Sequence, residues 1–168
     1  MVKQLTLNQY RKILTDFFKN HLQINTVLFG NKFDFNANEN ILYPVANIQF
    51  LDSSTNNVNI IDRFEITIAD LQNDEDDDAE FEIINDCTQI GYDLINYLNK
   101  EEFSFLFQVS NVTTINNFSE QNTDVTAGVN FAINLTQQRI INPCNVPVTD
   151  VATVPPVSFP HTLPFILL

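Results

Sequence analysis

The chain has 168 residues, 44% of them hydrophobic, with 15 Phe, no Trp and a formal charge of −13. That length and apolar content suit one domain with a real core plus an appendage. The charge excludes a nucleic-acid groove, because phosphate binding needs clustered Lys and Arg, and the eight basic residues are scattered except for a group near the start. An acidic chain suits a basic partner or a surface that repels DNA.

Met1–Tyr10 is polar and already reads as helix, so a signal segment is not expected. Thr6-Leu7-Asn8-Gln9 has capping-box spacing, and Tyr10, Ile13, Leu14, Phe17 and His21 follow at helical intervals, so a first helix is expected over about 6–22. Ile24–Phe29 reads as a short strand ending at Gly30, and Asn31–Asn40 as an ordered loop or hairpin. Tyr43–Leu51 alternates, with Ala46, Ile48 and Phe50 on one face and Val45, Asn47 and Gln49 on the other; Pro44 sits at its start, where a missing donor is tolerated. Ser53–Asn57 is turn chemistry. Val58–Leu71 is the longest alternating run, with Ile60, Phe64, Ile66 and Ile68 facing one way and Arg63, Glu65 and Thr67 the other.

Asn73–Lys100 is the spine of the domain. Seven of the 21 acidic residues lie between Asp74 and Glu82. Asp77 and Glu80 have capping-box spacing, and Phe81, Ile84, Cys87, Gly91, Leu94 and Leu98 recur every three or four residues, with Ile83, Ile90 and Tyr97 widening the stripe. A helix lying flat on a sheet is predicted. Phe103, Phe105, Phe107 and Val109 then alternate as a strand, Val112–Phe118 continues more weakly, and Val125–Leu135 is a strand with Val125, Ala127, Val129, Phe131, Ile133 and Leu135 inward and Thr126, Gly128, Asn130 and Asn134 outward. The order α-β-β-β-α-β-β with short connections predicts an α+β domain over 1–140: an antiparallel sheet with two packed helices.

From Ile141 the character changes. Six of the seven prolines lie between Pro143 and Pro164, and Asp150 is the sole charged residue beyond Arg139. Residues 141–168 therefore read as an extended C-terminal arm. Its apolar content (Val154, Val157, Phe159, Leu163, Phe165, Ile166, Leu167, Leu168) needs a surface to cover it. Phe159, Leu163, Phe165, Ile166 and Leu167 are the candidate subunit-interface residues. Docking on a neighbour is the expectation, and packing back on the same sheet is the alternative.

No pattern points to chemistry. The acidic run Asp74–Asp78 lacks the Gly at position 6 and Glu at position 12 of an EF-hand loop and reads as a solvated lead into the helix. His21 and His161, the two histidines, have no Cys or second His at ligand spacing. Cys87 belongs to the helix stripe and Cys144 follows the last strand, so both are expected as free thiols in a reducing cytoplasm. Three glycines leave no phosphate loop, and no nucleophile elbow or zincin motif occurs. The sequons at Asn111, Asn117 and Asn134 are what chance supplies in a chain rich in Asn and Thr. Phe103, Phe105 and Phe107 without basic neighbours read as core rather than a base-stacking platform. The expectation is a non-enzymatic protein with no cofactor, no bound metal and no membrane span.

Three patches carry a resemblance: HLQINTVLFGNKFDF (His21–Phe35); ILYPVANIQF (Ile41–Phe50); and the acidic lead into a helix ending DLINYL (Asp93–Leu98), followed by DVTAGVNFAINL (Asp124–Leu135) and the Asn142–Cys144 turn. Over about residues 5–145 this resembles small virion proteins of tailed bacteriophages infecting Bacteroides-like hosts, including crAss-like phages, and is similar in layout to tail-completion and tail-terminator proteins. The arm after Cys144 has no counterpart in the resemblance. What the resemblance implies is a ring-forming subunit, sixfold or twelvefold, at the head–tail junction of the virion. It would stack against portal, connector or tail proteins, with DNA passing through the lumen without specific binding. Two other classes stand beside it: an acidic DNA mimic that occupies a basic groove on a host protein, and a calcium-stabilised binding module.

Overall fold

A computed structural model describes residues 4–31, 41–72, 77–110, 114–121 and 125–140. The chain is α+β. Among the described residues it has α1 (Leu7–Asn20), β1 (Thr26–Phe29), β2 (Val45–Thr55), β3 (Asn59–Leu71), α2 (Asp77–Leu98), the short α3 (Glu101–Ser104), β4 (Gln108–Val109), β5 (Asn116–Gln121) and β6 (Thr126–Gln138). The strands form one sheet in the order β1-β2-β3-β6-β4, with β5 also on β6.

α1 starts where the capping box predicts. Thr6 Oγ accepts from the Gln9 N–H at 3.4 Å, and Gln9 Oε1 accepts from the Thr6 N–H at 2.9 Å, which satisfies two orphan donors of the first turn. Tyr10, Leu14 and Phe18 are fully buried along one face. α2 buries Cys87, Ile90, Leu94 and Leu98 on the same side of the sheet, beside Ile48, Phe64, Ile66, Ile68, Val129, Phe131, Ile133 and Leu135. Burying side chains of this size contributes roughly 1.5–3 kcal/mol each. One face of the sheet and two helices therefore make the core, and no helix among the described residues covers the other face.

β3 and β6 run antiparallel in unbroken register from Asn59–Gln138 to Leu71–Thr126. β2 and β3 form a hairpin whose turn is fixed by Asn56: its Oδ1 accepts from the Val58 and Asn59 N–H groups at 2.8 and 2.7 Å. β2 continues to Thr55, past the expected end at Leu51, and the turn narrows from Ser53–Asn57 to the residues around Asn56. The extra length is accommodated by a bulge at Leu51, between the pairs Phe50–Phe64 and Asp52–Arg63.

Further expectations need correction. The sheet is mixed: β1 pairs parallel to β2, from Thr26–Val45 to Phe29–Ile48, and the Asn25 N–H donates to the Pro44 carbonyl at 2.9 Å where the pairing starts. Alternation marks a strand but carries no direction, so a four-residue strand before a polar stretch reads equally well as either. Phe103–Val109 is not one strand. Residues 101–104 are helical, and β4 is confined to Gln108 and Val109. Thr126 and Gly128 lie on the face away from Ala127 and Val129 as expected, but that face is covered and both are buried, while Val125, expected inward, is 53% exposed. Phe118, Gly128, Ala69 and Val45 form a row across the second face, where Leu28, Ile41 and Tyr43 pack on them.

β4 and β5 are successive pieces of one edge, both antiparallel to β6. Phe81 is 71% exposed, so the α2 stripe begins at Ile83 and Ile84 rather than at Phe81. The Asn31–Asn40 loop from its second residue on, the acidic run 73–76, the side chain of Asp77 that the α2 capping box needs, and the whole arm 141–168 lie outside the described residues.

Candidate functional site

The chain after α2 makes the most distinctive surface. Lys100 opens α3, its Nζ 4.6 Å above the Tyr97 ring, a cation–π contact. Glu101 and Glu102 fill the first turn, where carboxylates suit the positive end of the helix dipole. The turn then closes through Leu106 N–H to Phe103 O at 2.8 Å and Phe107 N–H to Phe103 O at 3.0 Å. Phe103 stacks on Phe107 with centroids 5.5 Å apart, and Phe107 meets Tyr10 edge-on at 5.4 Å. Positions four apart share a helical face and two apart do not. Phe103 and Phe107 therefore turn to the core as expected, whereas Phe105 is thrown out, 77% exposed.

The same turn leaves β6 open. Ser110 N–H donates to Asn134 O at 3.0 Å, so the even-numbered residues of β6 aim their backbone groups at the β4 edge. Thr136 lies opposite Gln108, and one step further the register would set Leu106 opposite Gln138. Leu106 instead spends its N–H on Phe103 O. Gln138 therefore turns its N–H and C=O toward a cleft of about 280 Å³ with a mixed lining: Val58, Phe105, Leu106 and Phe107 beside the polar Asn59, Ser104, Gln108, Thr136, Gln137 and Gln138. None of the lining side chains is charged. A second cleft, of about 320 Å³, lies on the other side of the Ser104–Gln108 stretch, against Leu98, Asn99 and Lys100.

The titratable groups lie elsewhere. Burial, and then the charges of Asp70 and Asp86, push the Cys87 thiol up to about 12, so it is protonated at neutral pH and is not an activated nucleophile. Burial raises the Asp70 carboxyl, opposed by the Leu71 N–H that it accepts at 2.8 Å, and Asp86 raises it further. Burial, with the Asp62 charge second, drives the Tyr10 phenol above its ordinary value. The Tyr10 hydroxyl is buried and has no hydrogen-bond partner among the described residues. α1 ends at Asn20, short of the expected 22, so His21 is the C-cap rather than a residue of the helix, and its Nε2 lies 3.4 Å from Asp93 Oδ2 on α2. Among the described residues no three His, Cys, Asp or Glu side chains converge as metal ligands, and no helix is long and apolar enough to cross a membrane.

Phe159, Leu163, Phe165, Ile166 and Leu167, the expected interface residues, lie outside the described residues, as do His161 and Cys144. The opening at Gln138 escaped sequence reasoning because Phe103, Phe105 and Phe107 fit a strand as well as a turn. The Glu101-Glu102 pair, placed where a helix N-terminus wants it, is the signal that distinguishes them. No family model matches the chain, and no curated protein matches it.

Proposed function

We propose that the chain is a non-enzymatic structural subunit that joins copies of itself head to tail in a closed ring around the DNA channel at the portal–tail junction of a tailed-phage virion. The observation that carries this reading is the open sheet, with helices on one face and two unlike edges: parallel β1 on one side and the broken β4–β5 edge on the other. Contacts between unlike surfaces generate rings when the rotation closes. The patches that resemble tail-completion proteins include β1, β2 and β6, the strands that build this sheet.

Charge supports the same reading. Asp78, Glu82, Asp86 and Asp93 are exposed along α2, and a surplus of −13 per subunit multiplies around a ring. A lumen with that sign repels passing DNA. The apolar arm 141–168 supplies a second contact beyond the domain.

Native mass spectrometry and negative-stain microscopy of the purified chain test the proposal. A closed ring of fixed copy number is expected, together with recovery of the chain alongside portal and tail proteins from intact virions. A protein that stays monomeric at micromolar concentration and is missing from virions overturns it.

A further inference from the structure

The opening at Gln138, the apolar rim and the uncharged arm belong together. We infer that the cleft beside Gln138 receives the run Phe165–Leu168 from a neighbouring copy of the chain, added as a short strand along the free edge of β6. This rests on the ring reading above and names the contact that links one subunit to the next.

The backbone comes first. Peptides dock on exposed strand edges by main-chain hydrogen bonds, with alternate side chains entering pockets. Gln138 alone presents an N–H and a C=O on the side that β4 does not reach, since Leu106 bonds within its own turn and the next N–H on that side, of Ile140, donates to Gln4 Oε1 at 3.4 Å.

The rim comes second. Phe105 (77% exposed), Val58 (61%) and Ile140 (45%) stand around the same place; Phe105 and Val58 line the cleft, and Arg139, next to Ile140, donates its N–H to Val58 O at 2.7 Å. A volume of 280 Å³ falls at the lower bound of small-molecule sites, roughly 300–1,000 Å³, and suits a few peptide side chains.

Charge comes third. In a chain carrying −13, the cleft has no charged lining residue, and the arm carries a single charged residue, Asp150. Phe165–Leu168 is the longest apolar run in the arm that no Pro interrupts, so every residue in it can donate to a ladder.

The ring reading makes the neighbour the donor. The sheet ends at the rim of the cleft, and the stretch from Ile140 to Phe165 reaches roughly 75 Å when extended at ~3.1 Å per residue, long enough to cross to an adjacent subunit. Return to the chain's own cleft would close a loop at small entropic cost, and the disulfide test below separates the two.

The test uses full-length protein in a Cys144→Ser background, with the buried Cys87 left in place. Phe105→Cys is introduced into one tagged copy and Ile166→Cys into a differently tagged copy, and the two are co-expressed and oxidised. A disulfide between the two tags is expected in the assembled fraction, at least about 10-fold above a control pair of Leu22→Cys with Ile166→Cys. Separately, Phe105→Asp should lower the assembled fraction as much as removal of 146–168, and combining the two should add nothing. A disulfide that forms only within single copies carrying both cysteines makes the chain its own occupant and overturns the inference. Assembly that persists with Phe105→Asp and yields no inter-tag disulfide overturns the inference while leaving the ring standing. Failure of the unsubstituted protein to assemble overturns both.

Discussion

Gln137 holds the backbone of Leu5 with both ends of its amide. Its Oε1 accepts the Leu5 N–H at 2.7 Å, and its Nε2 donates to the Leu5 carbonyl at 3.0 Å, in a buried setting. A side chain near the end of β6 thus supplies the pair of hydrogen bonds that a neighbouring strand would give. Replacing it with Leu keeps the volume and leaves two backbone groups unpaired. The expected loss for Gln137→Leu is about 2 kcal/mol, measured by urea denaturation, with no change in the slope of the transition.

Gly128 and Gly91 should respond oppositely to alanine. A Cβ at Gly128 would collide with the Ile68 carbonyl oxygen and lie 2.9 Å from the Ala69 Cα, both main-chain atoms of the paired strand. Gly128→Ala is expected to cost on the order of 3 kcal/mol or more, as strain that the β3–β6 ladder cannot relax. At Gly91 the nearest atom is Cε1 of the Phe131 ring at 3.2 Å, a side chain that can give way, and Ala gains about 1 kcal/mol of helix propensity over Gly. Gly91→Ala should lie within about 1 kcal/mol of the natural chain.

Asp70 gives a pH signature. Its folded-state pKa is raised, chiefly by burial, above the ordinary 3.8. The folded protein therefore binds more protons than the unfolded one between 3.8 and the raised value, and stability falls as pH rises through that window. Asp70→Asn, which keeps an acceptor for the Leu71 N–H, should raise the melting temperature at pH 7 modestly, because it removes a charge that burial disfavours. Differential scanning calorimetry should show the gain vanishing as pH approaches 3.8.

Cys87 should be silent to thiol reagents in the native state. Buried and held up near 12 by its surroundings and the carboxylates of Asp70 and Asp86, it presents almost no thiolate at pH 8. In a Cys144→Ser background, iodoacetamide labelling followed by mass spectrometry should be negligible without denaturant and complete in it.

The Tyr10 hydroxyl is a cost to the fold. Buried without a partner among the described residues, it forfeits its hydration, while the ring still packs edge-on against Phe64 and Phe107. Tyr10→Phe should leave stability unchanged or raise it by up to about 1 kcal/mol, as read by urea denaturation.

The parts legible in the sequence are those where one period runs long enough to exclude the other. Val58–Leu71 and Val125–Leu135 alternate well enough that β3 and β6 emerge nearly whole, and the Thr6–Gln9 box marks the start of α1 to the residue. Legibility fails where two patterns share the same residues, as at Phe103 and Phe107, or where a pattern lacks direction, as in β1. It fails again where polar residues interrupt an apolar row. Asp62 and Gln137 are buried on the core side next to Phe64 and Leu135, and only the tertiary partners Tyr10 and Leu5 explain their surroundings. The surface that bears on function was least legible, because the opening at Gln138 arises from hydrogen bonds that a neighbouring turn diverts.

The placement of β6 has a mechanical consequence. It is bonded along its length to β3 on one side and to β4 and β5 on the other, and the residues from 141 onward join directly to its end. Tension applied through those residues pulls β6 along its own axis. Its 13 register pairs with β3 are then loaded together in shear instead of being unzipped one by one. Were the chain held through this strand, its central ladder would resist with combined strength, and the weaker edges of the sheet would carry little of the force.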